Sequence, residues 1–238
     1  MPANISPLTW KPTDGLEKPL YSENRAPLAL NFDNQHSPHR TMLERTISER
    51  FEATYDAKLE AFLPYLLSLS RDNKINAVLG MRLASEERLF LEQYLDLPIE
   101  QCVSRAYRSP IDRSTIVEIG NLAANVASAT PALFAVLVSA LQAAGYRWLV
   151  CTATVQVEAI LQKLNFSTET LGQANPDRLL TGQSSWGRYY DAHPRVVVGD
   201  ISVGAQIVQS SALLSHSIRD LSGAIDCVGQ QLNCAALR

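Results

Sequence analysis

Arg113-Ser-Thr-Ile-Val-Glu-Ile-Gly-Asn-Leu-Ala123 reads as a buried strand with one acid, Glu118, set in an otherwise apolar run. It empties into a turn of small residues, Ala124-Asn-Val-Ala-Ser-Ala-Thr130, and Thr130-Pro131 then opens a helix over 132–144. Leu133, Phe134, Leu137, Val138 and Leu141 form the apolar stripe of that helix, and Gly145 ends it. A strand, a tight turn and a helix N-terminus bring backbone N–H groups and the positive end of a helix dipole to one point, which suits a phosphate-bearing ligand. An isolated acid one strand-length from such a point is a candidate base.

Working outward, Trp148–Thr152 reads as a second buried strand, 155–164 as a helix, 166–171 as a strand and 195–201 as another. Alternating strands and helices predict parallel pairing through right-handed crossovers. Upstream, 28–32 reads as a first strand and 40–55 as a polar helix. Leu59, Phe62, Leu63, Leu66 and Leu67 predict a helix over 56–69 kinked at Pro64. Strands are expected at 76–83 and 89–95. The fold class that fits is α/β (α+β), a mixed twisted sheet flanked by helices. An irregular arm over 1–27 precedes one globular domain over 28–202, and 203–238 reads as a C-terminal amphipathic helix. Its seam of Leu214, Ile218, Leu221, Ile225, Val228 and Leu232 serves either its own domain or a homodimer.

The chain has 238 residues, 46% of them hydrophobic and 19% charged, with a net charge of −3, so it carries no electrostatic footprint for nucleic acid. The four cysteines have no paired spacing and no neighbouring His, which predicts free thiols and no metal site. The first residues lack the basic start and apolar core of a secretion signal, and no apolar run is long enough for a bilayer, so a cytoplasmic protein is expected.

Glu118 is read either as a base with a raised pKa or as a buried ion-pair partner of Arg82 or Arg113. Arg82 suits a bidentate clamp on an acceptor carboxylate, or lies on the surface of an alternating strand. Glu92 is read as a cap or a solvated residue. Trp186, Tyr189 and Tyr190 plug a core or line a loop. Cys151 is read as packing in preference to a relay thiol.

The segment Ala159-Ile-Leu-Gln-Lys-Leu-Asn-Phe166 resembles the helix end of GNAT acyltransferases, with Leu161 where that family often has a Tyr and Asn165 where it has Gly. Six ordered blocks carry a closer resemblance. They are Tyr55-Asp-Ala57 with Phe62-Leu-Pro64, Ala77-Val-Leu-Gly-Met-Arg82, Leu89-Phe-Leu-Glu-Gln-Tyr-Leu95, Ile116-Val-Glu-Ile-Gly-Asn-Leu-Ala123, Thr152-Ala-Thr154 and Trp186-Gly-Arg-Tyr-Tyr190. Together they resemble the thermostable hemolysin family, allied to acyl-homoserine-lactone synthases and N-acyl amino acid synthases within the GNAT-like fold.

The resemblance implies an N-acyltransferase that moves an acyl group from acyl-CoA or acyl carrier protein to the amine of a small amino-acid-like acceptor. It implies Glu118 as general base, Arg82 on the acceptor side and Asn121 where the allied synthases have Arg. Backbone groups of Leu122 and Ala123 are implied for the oxyanion, and those of Ala124, Asn125, Val126, Ala127, Ser128, Ala129 and Thr130 for pyrophosphate or phosphopantetheine. The glycine-rich phosphate loop of GNAT enzymes is absent from that stretch. Two further readings stay open: a membrane-active protein, as the family's name suggests, and a GNAT-like binding module without catalysis.

Overall fold

A computed structural model describes residues 26–180 and 183–236, so the arm expected over 1–27 lies outside the described residues except for its last two. The elements run β1 (Ala29–Asp33), α1 (Arg40–Tyr55), β2 (Tyr65–Arg71), β3 (Lys74–Leu83), α2 (Ile99–Tyr107), β4 (Ile116–Ala124), α3 (Ala129–Ala143), β5 (Trp148–Ala153), α4 (Val155–Lys163), β6 (Glu169–Gln173), β7 (Arg195–Asp200), α5 (Ile201–Ser210), α6 (Ala212–Ile218) and α7 (Ser222–Ala236). A short 3₁₀ helix, Phe90–Tyr94, sits between β3 and α2. The strands form one mixed seven-stranded sheet in the order β1-β2-β3-β4-β5-β7-β6.

Two expectations about local structure are corrected. The stretch expected as a helix over 56–69 yields an extended segment and then β2, whose Leu66, Leu67 and Leu69 are all buried. A central strand covered on both faces has apolar residues at adjacent positions, and these mimic helical spacing. The stretch expected as a strand over 89–95 is the 3₁₀ helix. α2 has no counterpart among the expected elements, although it has an acid in its first turn, an arginine in its last, and Ile99 and Val103 turned inward.

The predicted run of parallel pairs reduces to one, β4 with β5. β7 returns antiparallel between β5 and β6. Hydrophobic periodicity sets an element's type but not its neighbour, so the strand order lay beyond it. The α4 helix ends as expected, with Asn165 in the left-handed conformation (φ 60°) that a glycine would otherwise supply.

The sheet is covered on both faces. One face, with Leu67, Leu79, Met81, Val117, Ile119 and Val197 turned toward it, lies under α3 and the C-terminal helices. The other lies under α1, the 3₁₀ helix and α2. α3 is buried on nearly every side, including Leu133, Ala135, Val136, Leu137 and Leu141.

The segment expected as a single C-terminal helix over 203–238 forms α5, α6 and α7. Asp200 caps α5 through Ser202 and Val203, and Ser211 caps α6 by accepting from Leu214 N. All six seam residues, Leu214 to Leu232, are buried in the same core as α3. The seam therefore packs on its own chain, the first of the two roles expected for it. Leu232 is fully buried, so Leu232→Ala is expected to cost about 2–5 kcal/mol, measured by urea unfolding. The loss should be independent of protein concentration.

Candidate active site

The site forms where β4 leaves β5. The two strands pair from Ile116 opposite Trp148 to Ile119 opposite Cys151. β5 continues to Ala153 bonded on its other side to β7, and β4 continues to Ala124 bonded to β3. Between the Gly80–Gly120 and Val78–Ala123 pairs, β4 has one residue more than β3, and Asn121 there takes a left-handed backbone (φ 51°). A bulge of this kind twists and bends its strand, here at the point where the neighbouring strand is lost.

The parting opens a cavity of about 290 Å³ lined from both faces of the sheet. On the α1 side its walls include Phe51, Tyr55, Phe90, Tyr94, Trp186 and Tyr189. On the α3 side they include Phe134, Val138, Leu161, Phe166, Ile201 and Gly204. Arg82, Glu118, Asn121, Leu122, Cys151 and Thr152 stand between.

Glu118 is 4% exposed. Its Oε2 accepts from Phe90 N at 2.9 Å and its Oε1 from Leu91 N at 2.8 Å, so the first turn of the 3₁₀ helix cradles the carboxylate. Arg82, its cross-strand neighbour on β3, brings Nη1 within 3.8 Å of Oε2. Burial pushes the Glu118 carboxyl up to about 7, against the opposing pull of the two amides and Arg82. Of the ion pairs expected for this acid, the one with Arg82 forms, at a distance longer than a hydrogen bond, and the one with Arg113 does not.

Arg113 pairs with Glu92 and Glu100 instead. Glu92 is neither solvated nor free: it accepts from Leu89 N and Ile99 N as well as from Arg113. Burial pushes its carboxyl upward, but the guanidinium and the two amides outweigh that and hold it below the ordinary range.

Arg82 stands between two carboxylates, Glu87 and Glu118. Its Nε lies 3.0 Å from Glu87 Oε1 but without the alignment of a hydrogen bond, and that buried atom has no hydrogen-bond partner. Asn121 faces the cavity, yet its Oδ1 accepts from Leu63 N at 2.9 Å. Leu63 packs over the Gly80–Gly120 pair: a Cβ on Gly80 would stand 2.9 Å from Leu63 Cβ. Two glycines facing each other thus make the recess that lets the 59–63 segment form a wall.

The expected phosphate turn sits differently from the acid. Leu122 lines the cavity, whereas Ala123 is buried under α1 and residues 124–130 are outside the lining. Asn125 N and Val126 N both donate to Asn76 O, Ala129 N donates to Val126 O, and Thr130 N to Ala127 O. Most of the turn's amides are thus engaged within the protein.

The aromatic wall was underestimated from sequence. Trp186 lies 5.1 Å from Tyr189 and 5.7 Å from Phe90 between ring centroids, and Tyr94 and Tyr190 share a hydroxyl–hydroxyl bond of 2.6 Å. Phe90, Tyr94, Trp186 and Tyr189 pack against one another and also face the cavity, so core and lining share these residues, while Tyr190 only packs behind them. Cys151 lines the cavity with its thiol pushed up to about 12 by burial, which keeps it neutral. Among the described residues no group of three or more His, Cys, Asp or Glu could hold a metal ion, and no helix is long and apolar enough to cross a membrane.

The mixed sheet with its flanking helices is the α/β, GNAT-like architecture of acyl-homoserine lactone synthases. The AHL synthase LasI superposes with a TM-score of 0.50 at 10% identity, covering 74% of this chain and 91% of that one. TofI in an apo form gives 0.50 at 13%, covering 78% and 99%. The CoA-dependent synthase BjaI, with SAM and isopentyl-CoA, gives 0.50 at 9%, covering 76% and 88%. At these identities the likeness is one of fold. By sequence, the chain belongs to the thermostable hemolysin family, which matches residues 33–205. No curated protein matches the sequence.

A buried carboxyl with a raised pKa is a stability liability above its ordinary value. Its cost is absent at acid pH, where both folded and unfolded chains hold the proton, grows as pH rises from the ordinary glutamate value to about 7, and levels off above that. Between pH 5 and pH 8 the unfolding free energy of the wild type is therefore expected to fall relative to Glu118→Gln, by roughly 2.5 kcal/mol. Parallel denaturant titrations of the two proteins measure it.

Proposed function

We propose that this chain is an N-acyltransferase that moves an acyl group from acyl-CoA or acyl carrier protein to the amine of a small amino-acid-like acceptor, with Glu118 as general base. The observation that carries this reading is the middle of the cavity lining. A buried carboxyl raised by burial to about 7 and the Arg82 guanidinium stand there between aromatic residues on one side and apolar ones on the other. The fold shared with the AHL synthases supports it.

In this reading the acyl chain lies among Phe134, Val138, Leu161 and Phe166, where burial of apolar surface favours it. The thioester sits at the parting of β4 from β5, and the acceptor enters from the Arg82 side. Arg82 holds the acceptor's carboxylate, and Glu118 takes a proton from its nitrogen. The nitrogen bonds the thioester carbon, and the carbonyl electron pair moves onto oxygen. The amide of Leu122, which lines the cavity on the strand whose β5 side is open, stabilises that oxyanion. The intermediate collapses with loss of the thiolate, which receives the proton and leaves an amide. The donor's phosphates lie outside the cavity along 124–130. There Ala127 N and Ser128 N make no backbone bond among the described residues, and we assign them to the phosphate.

Glu118→Gln is expected to lower acyl transfer by about 10²–10⁴-fold in a thiol-release assay while the protein stays folded. In the wild type kcat/KM should climb with pH through about 7, since the base works only when deprotonated. A fully active Glu118→Gln protein would refute the assignment. Arg82→Met is expected to raise the acceptor's KM by about tenfold or more and leave the donor's unchanged, as a lost charge-assisted hydrogen bond predicts.

A further inference from the structure

Three consecutive amides at the start of the 3₁₀ helix go to two buried carboxylates. Leu89 N donates to Glu92, whereas Phe90 N and Leu91 N donate to Glu118. The two acids differ in what stands behind them. Glu118 faces the cavity, while Glu92 is gripped by Arg113, which sends Nη1 to Oε1 at 2.7 Å and Nη2 to Oε2 at 2.8 Å. The other donors of the same guanidinium are committed too: Nε to Ala84 O at 2.7 Å, Nη1 also to Glu100 Oε2 at 2.8 Å, and Nη2 to Glu87 O. Arg113 therefore ties the end of β3, the turn after it, the 3₁₀ helix and α2 to the residue that leads into β4.

We propose that Arg113 is a positioning residue for Glu118: by clamping Glu92 it holds the 3₁₀ turn so that the Phe90 and Leu91 amides stay bonded to the Glu118 carboxylate. Among the described residues Arg113 forms no hydrogen bond or ion pair with Glu118. It acts through Glu92 and the backbone, and it stands five positions before Glu118 on the same run of chain. Its functional weight rests on the reading of Glu118 as the base, but the structural link does not.

The direction of the effect follows from the groups around Glu118. Arg82 on β3, with Glu87 beside its guanidinium, favours the charged carboxylate. Glu92 and Tyr94 on the 3₁₀ helix, and Cys151 on β5, complete the titratable groups facing it. Amide hydrogen bonds favour the ionised form. Loosening the turn removes two of them, and stripping Glu92 of its counter-ion leaves an unbalanced negative charge near Glu118. Both changes hold the proton on Glu118 more tightly.

The test is a ¹³C NMR titration of protein carrying carboxyl-labelled glutamate, with the Glu118 signal assigned by its loss in Glu118→Gln. Arg113→Met is expected to move the Glu118 midpoint to higher pH by about one unit, equivalent to about a tenfold change in proton affinity. Arg113→Lys keeps the charge but cannot span both Glu92 oxygens, so it should fold and show a smaller shift in the same direction. An unmoved midpoint in a folded variant, even with a lowered melting temperature, would overturn the proposal and leave Arg113 a purely structural residue. The pH profile of thiol release from octanoyl-CoA separates the two claims. If the midpoint moves and the acid limb of the profile moves with it, both stand. If the midpoint moves and the limb does not, positioning holds and Glu118 is not the base.

Discussion

β4 and β5 share four residue pairs and then separate, and nearly everything distinctive about this protein follows from that separation. Strands in a sheet satisfy each other's backbone groups, so a strand that loses its neighbour needs another source of order. Here β3 holds β4 through the bulge at Asn121, and β7 holds β5 to its end. The gap is therefore framed by two firmly bonded strands and does not close. Side chains from both faces of the sheet reach it, which is how one cavity comes to have an aromatic end and an apolar end.

The electrostatics of the site depend on unequal treatment of two similar acids. Glu92 and Glu118 are both about 4% exposed, and both accept two backbone amides. Arg113 supplies Glu92 with two further, charged donors, and that is enough to outweigh burial. Arg82 stands farther from Glu118, and burial wins. One acid becomes a fixed anion that braces a turn, and the other becomes a group able to exchange a proton near neutral pH. Two carboxylates divided between these roles by their surroundings are a recurrent arrangement in acid–base sites.

The readable parts of the sequence were those whose signal is local. β4 with its single acid, α3 with its stripe and the buried β5 all follow from residue spacing. Asn165 shows the same locality, since a left-handed residue after α4 is what the chain needs there whether or not it is glycine. Leu66, Leu67 and Leu69 misled because a strand buried on both faces has no alternation to display. Leu89 to Leu95 misled because a 3₁₀ turn of five residues is too short to have a period at all. The cradle of Glu118 was hidden for the same reason: its donors are backbone amides, which every residue but proline possesses. Likewise, the turn at 124–130 looked open from sequence, because nothing in it shows that Asn76 O, in a hairpin far back in the chain, takes two of its amides.

The closure of the C-terminal seam onto α3 has a consequence for how the protein is made. α3 is among the most apolar helices of the chain, and its outer surface is covered by α5, α6 and α7, which are synthesised after it. Ile201, Val203 and Gly204 of α5 also line the cavity. During translation the sheet and α3 exist before their cover does, so a large apolar surface is open to other chains in that interval. The apolar chamber gains its last wall only when α5 arrives. In chain order, the residues that complete the cavity are also among those that cover α3.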